Sequence, residues 1–313
     1  MREMTVSKND AGQRLDRFLA KAFPRLPSAT AQKYIRQKRI KVGGKRTEQS
    51  YRLTEGDTIQ LYINDTFFEA EMQENRLYQT ISRPSLAICY EDEQILIVDK
   101  PPGLQSHSGN EKGEITLADL IKAHLYQSGA WNPAREQSFV PALSNRLDRN
   151  TGGLVLAAKT AAALQMLNQK IRDREIEKYY LLAVHGRPEP PAGRLEGHLI
   201  KNRQENRVSL TRAEADGAKA AVTEYRTLTS RDGLSLVECR LLTGRTHQIR
   251  AQMAALGCPL LGDRKYGGTG GKAHQALWAY RICFQFTSDA GVLNYLNRQE
   301  FLSEEAPTWR TLF

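Results

Sequence analysis

An unbroken apolar run, Leu154 to Ala158, follows directly on the polar stretch Asn145-Arg146-Leu147-Asp148-Arg149-Asn150-Thr151-Gly152-Gly153. A short continuous apolar run entered from a glycine pair is a buried strand fed by a tight loop. The fold therefore has to carry one carboxylate and two guanidinium groups at the entrance to its core. An aspartate carboxyl has a reference pKa of about 3.9 and is ionised at neutral pH. Arg146 and Arg149 flank Asp148 and draw anions to it. A carboxylate so placed can act as a nucleophile toward a substrate that is itself a polyanion. The plain alternative is an ordinary surface aspartate.

With 313 residues, 26% of them charged and 40% hydrophobic, the chain is long enough for two domains and is expected to be soluble and globular. No apolar run reaches the length of a membrane span. Met1 to Asp10 is polar, so no secretory signal is expected. Cys89, Cys239, Cys258 and Cys283 are scattered through apolar stretches without C-x-x-C spacing. That argues against a zinc or redox motif and for a reducing compartment, the cytoplasm. The six histidines show no metal spacing either. The net charge of +10 calls for an anionic partner. Residues 1–63 hold 14 Lys/Arg against 6 Asp/Glu, so most of the excess sits there.

That first segment spells out a small module. Leu15, Phe18, Leu19, Ala22 and Phe23 keep helical spacing, and Pro24 and Pro27 end the helix. Ser28 starts a second helix to about Gln37. Ile40 to Val42 is a strand turned by Gly43-Gly44, and Ile59, Leu61 and Ile63 alternate as another. Lys33, Arg36, Lys38, Arg39, Lys41, Lys45 and Arg46 crowd one segment without an acid among them, a pattern that binds phosphates by charge. Gln13-Arg14-Leu15-Asp16-Arg17-Phe18-Leu19, Ala31 to Ile35, Ile40 to Lys45, and Tyr51-Arg52-Leu53 with Glu55-Gly56-Asp57 resemble an S4 RNA-binding domain. The resemblance implies binding of structured RNA through the second helix and the following turn. Residues 64–85, with acids at Asp65, Glu69, Glu71 and Glu74, are expected to be a linker on which Phe67 and Phe68 dock against a neighbouring domain.

Residues 86–313 form the larger part. Strands are expected over Leu86–Tyr90, Ile95–Asp99, Leu154–Ala158, Lys178–Val184, Ala220–Leu228, Leu234–Leu242 and Trp278–Phe286. Helices are expected over Thr116–Tyr126 and Ala161–Arg172, and a third opens at Thr243 and ends near Gly257. Residues 187–217 are rich in Arg, Pro and Gly and are expected to be loops with short strands. Tyr266 to Ala273 lacks the first glycine and the Ser/Thr of a phosphate loop and is expected to be a surface turn. Hairpin links with interspersed helices make this an α+β chain with a mixed, mainly antiparallel sheet.

Several stretches together resemble the RluA-type pseudouridine synthases: Arg146-Leu147-Asp148-Arg149 with Thr151 and Gly153; Lys178-Tyr179-Tyr180 before an apolar run; Leu242 to Arg250 with Gly262-Asp263 and Lys265-Tyr266-Gly267; and Lys100-Pro101-Pro102-Gly103 with His107. The resemblance covers about residues 86–287. Members commonly carry His where Asn145 stands, Asp-Thr-Ser-Gly where this chain has Asn150-Thr151-Gly152-Gly153, and often His where Trp278 stands. The resemblance implies a catalytic domain over 86–313 that isomerises uridine in structured RNA, ribosomal RNA first and tRNA as the alternative. It implies Asp148 as nucleophile, Tyr180 stacking on or positioning the uracil, and Arg146 filling the space left by the flipped base. It further implies Arg245 pairing with Asp148 and a structural or RNA-contacting His247; Arg149, by its charge beside Asp148, is expected among the RNA contacts. The rearrangement breaks a C–N bond and joins C5 to the same ribose carbon without redox change, so no cofactor or metal is needed. Attack on ribose C1′ and attack on the uracil ring both remain open. A monomer is expected. Two other readings stand beside this one: a noncatalytic RNA-binding or ribosome-assembly factor, and a nucleic-acid glycosylase that uses Asp148 with water.

Overall fold

The computed structural model describes residues 1–68, 77–107, 113–136, 138–202, 205, 207–211, 216–270, 274–305 and 307–313. In chain order the elements are β1 (Arg2–Thr5), α1 (Leu15–Ala22), α2 (Ser28–Arg36), β2 (Ile40–Val42), β3 (Thr58–Leu61), α3 (Leu77–Thr80), β4 (Ala87–Glu91), β5 (Ile95–Lys100), α4 (Leu117–Gln127), β6 (Ala142–Leu143), β7 (Gly152–Ala158), α5 (Ala161–Arg172), β8 (Ile176–His185), β9 (Ala192–Asn202), β10 (Arg207–Thr211), β11 (Lys219–Arg231), β12 (Leu234–Leu241), α6 (Gln248–Ala255), β13 (Leu277–Phe284) and β14 (Glu300–Leu302). They form two compact units. One comprises Met1–Pro84, Asp119–Ala142 and Lys159–Ala162; the other comprises Ser85–Ala118, Leu143–Ala158 and Ala163–Phe313.

In the first unit, α1 and α2 cover a three-stranded sheet of order β1-β3-β2. Leu15, Phe18 and Leu19 of α1 and Ala31 and Ile35 of α2 are buried with Ile40, Ile59 and Leu61. Each such large side chain removed from water contributes ~1.5–3 kcal/mol, which is what holds so small a sheet together. β1 is absent from the sequence expectation because only Met4 of its four residues points inward. Phe67 and Phe68 pack onto this core, Phe68 against Phe23 at 5.4 Å and Phe67 against Tyr34 at 6.2 Å. Asp65 lies in a short 3₁₀ turn, while Glu69, Glu71 and Glu74 fall outside the described residues. Residues 119–142 belong to this unit for identifiable reasons. Tyr78 of α3 packs on Tyr126 and Trp131, and Ser138 donates from its hydroxyl and its N–H to Asp10.

The second unit is built on an 11-stranded sheet whose main path runs β10-β9-β11-β12-β8-β13-β7-β5-β4. The described pairings are antiparallel except one: β13 runs parallel to β7 at Trp278↔Gly152 and Ala279↔Gly153. This parallel seam is where the Asp148 loop enters the sheet. The glycine pair permits it. A Cβ on Gly152 would lie 2.1 Å from the Trp278 ring, and one on Gly153, which has φ of 109°, would lie 2.2 Å from the Ala279 carbonyl oxygen. β7 thus begins two residues earlier than its apolar run, and all seven of its residues are buried. Ala163 and Leu167 of α5 pack with Ile95, Ile97, Leu154, Leu156 and Phe284.

Two expectations for this unit change. Residues 192–202 form the long strand β9, whose alternating exposure is carried by Arg, Glu, Gly and His rather than by a clear apolar stripe. The helix expected from Thr243 begins only at Gln248. Residues 243–247 instead loop around the Gln248 side chain, whose Oε1 accepts from the Thr243 hydroxyl (2.8 Å) and the Arg245 N–H (3.0 Å). Gln248 and Gln252 pin α6 to its surroundings through the carbonyls of Val222 (3.0 Å) and Leu195 (3.0 Å). A helix so enclosed buries polar residues and shows little amphipathic signal.

Candidate active site

Asp148 sits at the head of β7, in a loop tied down from several sides. Asn145 Oδ1 accepts the Leu156 N–H at 2.8 Å. The Ser106 hydroxyl donates to the Leu147 carbonyl (2.9 Å) and accepts the Leu147 N–H (3.1 Å). Lys100 is fully buried, and its ammonium donates to the carbonyls of Pro101 (2.9 Å), Leu104 (2.7 Å) and Arg149 (3.0 Å). Burial pulls the Lys100 pKa down to about 8 while the Asp148 charge opposes the fall. Those three carbonyls, gathered on one ammonium, lock the Lys100–Gly103 turn to the Asp148 loop.

The carboxylate itself is asymmetric. Arg250 Nη1 donates to Oδ2 at 3.1 Å, and His247 Nε2 lies 3.6 Å from the same oxygen. Oδ1 has no hydrogen-bond partner among the described residues, and the group is one-fifth exposed. Arg250 is held in turn by Asp263, to which it donates through Nε (2.7 Å) and Nη2 (2.9 Å). This fork-to-fork pair fixes the guanidinium plane and leaves Nη1 to reach Asp148. Asp148 thus has one tethered oxygen and one free oxygen.

The expected partner of Asp148 was Arg245, and here the structure corrects the sequence. Arg245 is exposed, and its Nε donates to the Ala220 carbonyl at 3.0 Å, so it forms no ion pair with Asp148. Arg245 precedes α6, whereas His247 caps it and Arg250 lies in its first turn, and both reach toward Asp148 Oδ2. That spacing, His247-x-x-Arg250, was the signal available in the sequence.

A cavity of about 530 Å³ opens beside the carboxylate, lined by Asp148, Tyr180, Lys178, Thr243 and Arg245 among others. Tyr180 of β8 is buried and makes no hydrogen bond from its hydroxyl among the described residues. Burial, with the Asp148 charge adding to it, pushes the Tyr180 pKa far up, so the group remains a neutral phenol. Tyr179 turns to the opposite face, where its hydroxyl donates to Glu177 at 2.8 Å and the Arg281 guanidinium lies 3.9 Å over its ring. Burial brings the Lys178 ammonium down to about 8, and it forms no ion pair among the described residues. A second cavity of about 840 Å³ meets Asp148 from another side and is lined by Arg146, Arg149, Lys201, Arg264 and Lys265. Arg146 is exposed, lines both cavities, and pairs with no carboxylate among the described residues. Arg149, expected as an RNA contact, is paired with Glu114 and donates to the Gly103 carbonyl.

On the first unit Lys33, Arg36, Lys38, Lys45 and Arg46 are exposed. Arg39 donates to the Tyr62 carbonyl and lies 4.7 Å over the Tyr34 ring, and Lys41 lies 5.4 Å over Tyr62. Two of the seven expected RNA-binding cations are therefore partly engaged within the fold.

Residues 94–255 match the family described as RNA pseudouridylate synthase. The chain belongs to that family. Residues 13–59 match the S4 domain. Among curated relatives, ribosomal large subunit pseudouridine synthase C of Rickettsia bellii is 34% identical over 262 residues, covering 81% of this chain and 82% of the relative. Ribosomal large subunit pseudouridine synthase D of Nitrosomonas europaea is 32% identical over 275 residues, covering 85% of this chain and 72% of the relative. The solved structure of human RNA pseudouridylate synthase domain containing 4 shares the fold with a TM-score of 0.56 at 22% identity, over 75% of this chain and 93% of that one. The chain is therefore an RNA pseudouridine synthase of the RluA type with an N-terminal S4 domain, and RNA is its partner. Its departures from the RluA-type pattern acquire physical content in this fold. Gly152 stands where Ser is common because the Trp278 ring, standing where His is common, occupies the space of a side chain. Trp278 Nε1 in turn donates to the Ser303 hydroxyl at 2.8 Å.

Proposed function

We propose that this synthase isomerises uridine in large-subunit ribosomal RNA, with Asp148 as its nucleophile. The carrying observation is the Asp148 carboxylate, with Oδ2 held by Arg250 and Oδ1 free beside a cavity that also holds Tyr180. The target uridine leaves its stack, at a cost of a few kcal/mol, and enters that cavity. Arg146 supports the opened RNA from the rim, and the neutral Tyr180 ring packs on the uracil. The N1–C1′ bond breaks, the base turns, and C5 bonds to C1′. The C5 proton leaves and N1 takes one up, so atoms and electrons balance without an oxidant. The printed names of the two curated relatives support large-subunit RNA as the substrate. The four free cysteines suit a cytoplasmic enzyme.

Tritium release from RNA labelled at uracil C5 tests the reaction. The intact protein releases it, and Asp148→Asn abolishes release while RNA affinity stays near wild type. Release by the Asn variant at the wild-type rate removes Asp148 from the role. Mapping pseudouridines in RNA from cells lacking the protein tests the address, and loss confined to tRNA overturns the ribosomal assignment.

A further inference from the structure

His247 stands 3.6 Å from Asp148 Oδ2 through Nε2. Catalytic hydrogen bonds are often this long before substrate closes the site. Its other ring nitrogen, Nδ1, lies 3.0 Å from the Tyr266 hydroxyl. The Tyr266 oxygen already accepts the buried Val208 N–H at 2.9 Å. The hydroxyl hydrogen then has one acceptor among the described residues, His247 Nδ1. A tyrosine that donates to Nδ1 finds that nitrogen bare, and the neutral ring then carries its proton on Nε2. That N–H faces the carboxylate. The charged groups around the ring agree with a neutral imidazole. Burial lowers its pKa most; Asp148 and Asp263 raise it, Arg250 and Lys265 lower it, and the net direction is down.

We propose that His247 is a positioning residue for the reaction: Tyr266 imposes its Nε2–H tautomer, and that N–H joins Arg250 on Oδ2 so that Oδ1 faces the substrate. The proposal rests on Asp148 as nucleophile. Arg250 supplies one full positive charge, and a second on His247 would hold the carboxylate in a tighter ion pair and blunt its attack. A neutral donor orients the group without adding that charge. His247 takes φ of 52°, a left-handed conformation that a non-glycine residue adopts only when its surroundings impose it. It thereby starts α6 with its ring between Tyr266 and Asp148.

Two measurements on the full chain test this. The first needs no RNA: ¹⁵N chemical shifts of the His247 ring at neutral pH report its tautomer. We expect a bare Nδ1 and a protonated Nε2, with the preference weakened in Tyr266→Phe. That variant keeps the ring under Arg250 and Arg207 at 5.1 and 5.3 Å and removes only the hydroxyl. An imidazolium or a protonated Nδ1 overturns the proposal. The second is single-turnover pseudouridine formation at saturating RNA. Tyr266→Phe and His247→Ala each slow it by about tenfold or more, as loss of one hydrogen bond to a charged group predicts. His247→Gln, whose amide N–H can reach the same oxygen, recovers part of the rate. The double variant is no slower than His247→Ala alone, because Tyr266 acts through His247. Unchanged rates with weakened RNA affinity make His247 an RNA contact and overturn the proposal, as does an additive double variant. Tritium release that survives Asp148→Asn brings down the underlying reading instead, and the tautomer measurement stands apart from it.

Discussion

Arg250 donates through three nitrogens to two carboxylates, Asp148 and Asp263, and this sharing decides how substitutions here behave. Asp263 is 2% exposed. Arg250→Ala leaves it a buried charge without a counterion, a loss of about 3–5 kcal/mol, and frees Asp148 as well. The expected outcome is a lowered melting temperature together with loss of activity. Arg250→Lys keeps the charge, but one ammonium cannot reproduce the planar fork; kcat should fall by roughly a hundredfold, about 2.7 kcal/mol, with KM little changed. Arg245→Ala, on an exposed residue outside this network, should keep both melting temperature and kcat and act only on RNA affinity. Equal kcat losses at 245 and 250 would contradict this assignment. The placement of Asp148 and Tyr180 beside one cavity agrees with the sequence expectation, because each stands at the edge of an apolar run that fixes its strand. The choice between Arg245 and Arg250 was not legible. It depends on where α6 begins, and that is set by Gln248 reaching back to Thr243 and Arg245 rather than by any local propensity.

Between elements, the seam of β7 and β13 is where two departures from the RluA-type pattern meet. Gly152 and Trp278 fill one space between them, so they should be coupled energetically. Gly152→Ser alone meets the Trp278 ring and should strongly lower the melting temperature. Trp278→His alone opens a void and loses the bond to Ser303. The two together should be more stable than the sum of the single losses, with a coupling of about 1–3 kcal/mol in a thermal or urea double-mutant cycle. Strict additivity would show that the two sites do not compensate. Strands and helices with one clear period were legible: α5 has the bounds its Leu164, Leu167 and Ile171 spacing predicts, and β7 differs from its apolar run only by the glycine pair. β9 and α6 were not. An edge-side strand of Arg, Glu and Gly lacks the alternation that marks a strand, and a helix enclosed by protein lacks the stripe that marks a helix.

At the scale of the whole molecule, both units carry basic surface: the S4 module, and the surroundings of Asp148, where Arg146, Lys201, Arg264 and Lys265 line the second cavity. The exposed cations of the S4 module lie in one unit, and Asp148, Tyr180, His247 and Arg250 lie in the other. Neutralising Lys33, Arg36, Lys38 and Lys45 with Gln should flatten the dependence of log K on log salt by roughly three while leaving the single-turnover rate at saturating RNA unchanged. An unaltered salt slope would remove these side chains from the RNA surface. The net charge of the first 63 residues marks the basic module in the sequence, but the bounds of the first unit, which runs to Pro84 and takes in residues 119–142, depend on Tyr78, Trp131 and Ser138 meeting partners distant in the chain. The seam carries one more consequence, for synthesis. Arg250 follows Asp148 by 102 residues, and Trp278, which closes the seam, is translated later still. A nascent chain thus presents its S4 helices and basic surface early; β5, Lys100 and Ser106 are already at hand when the Asp148 loop emerges, but its Arg250 tether and the strand β13 that settles between β7 and β8 come only later. On the translating ribosome, the means of gripping RNA exists before the means of altering it.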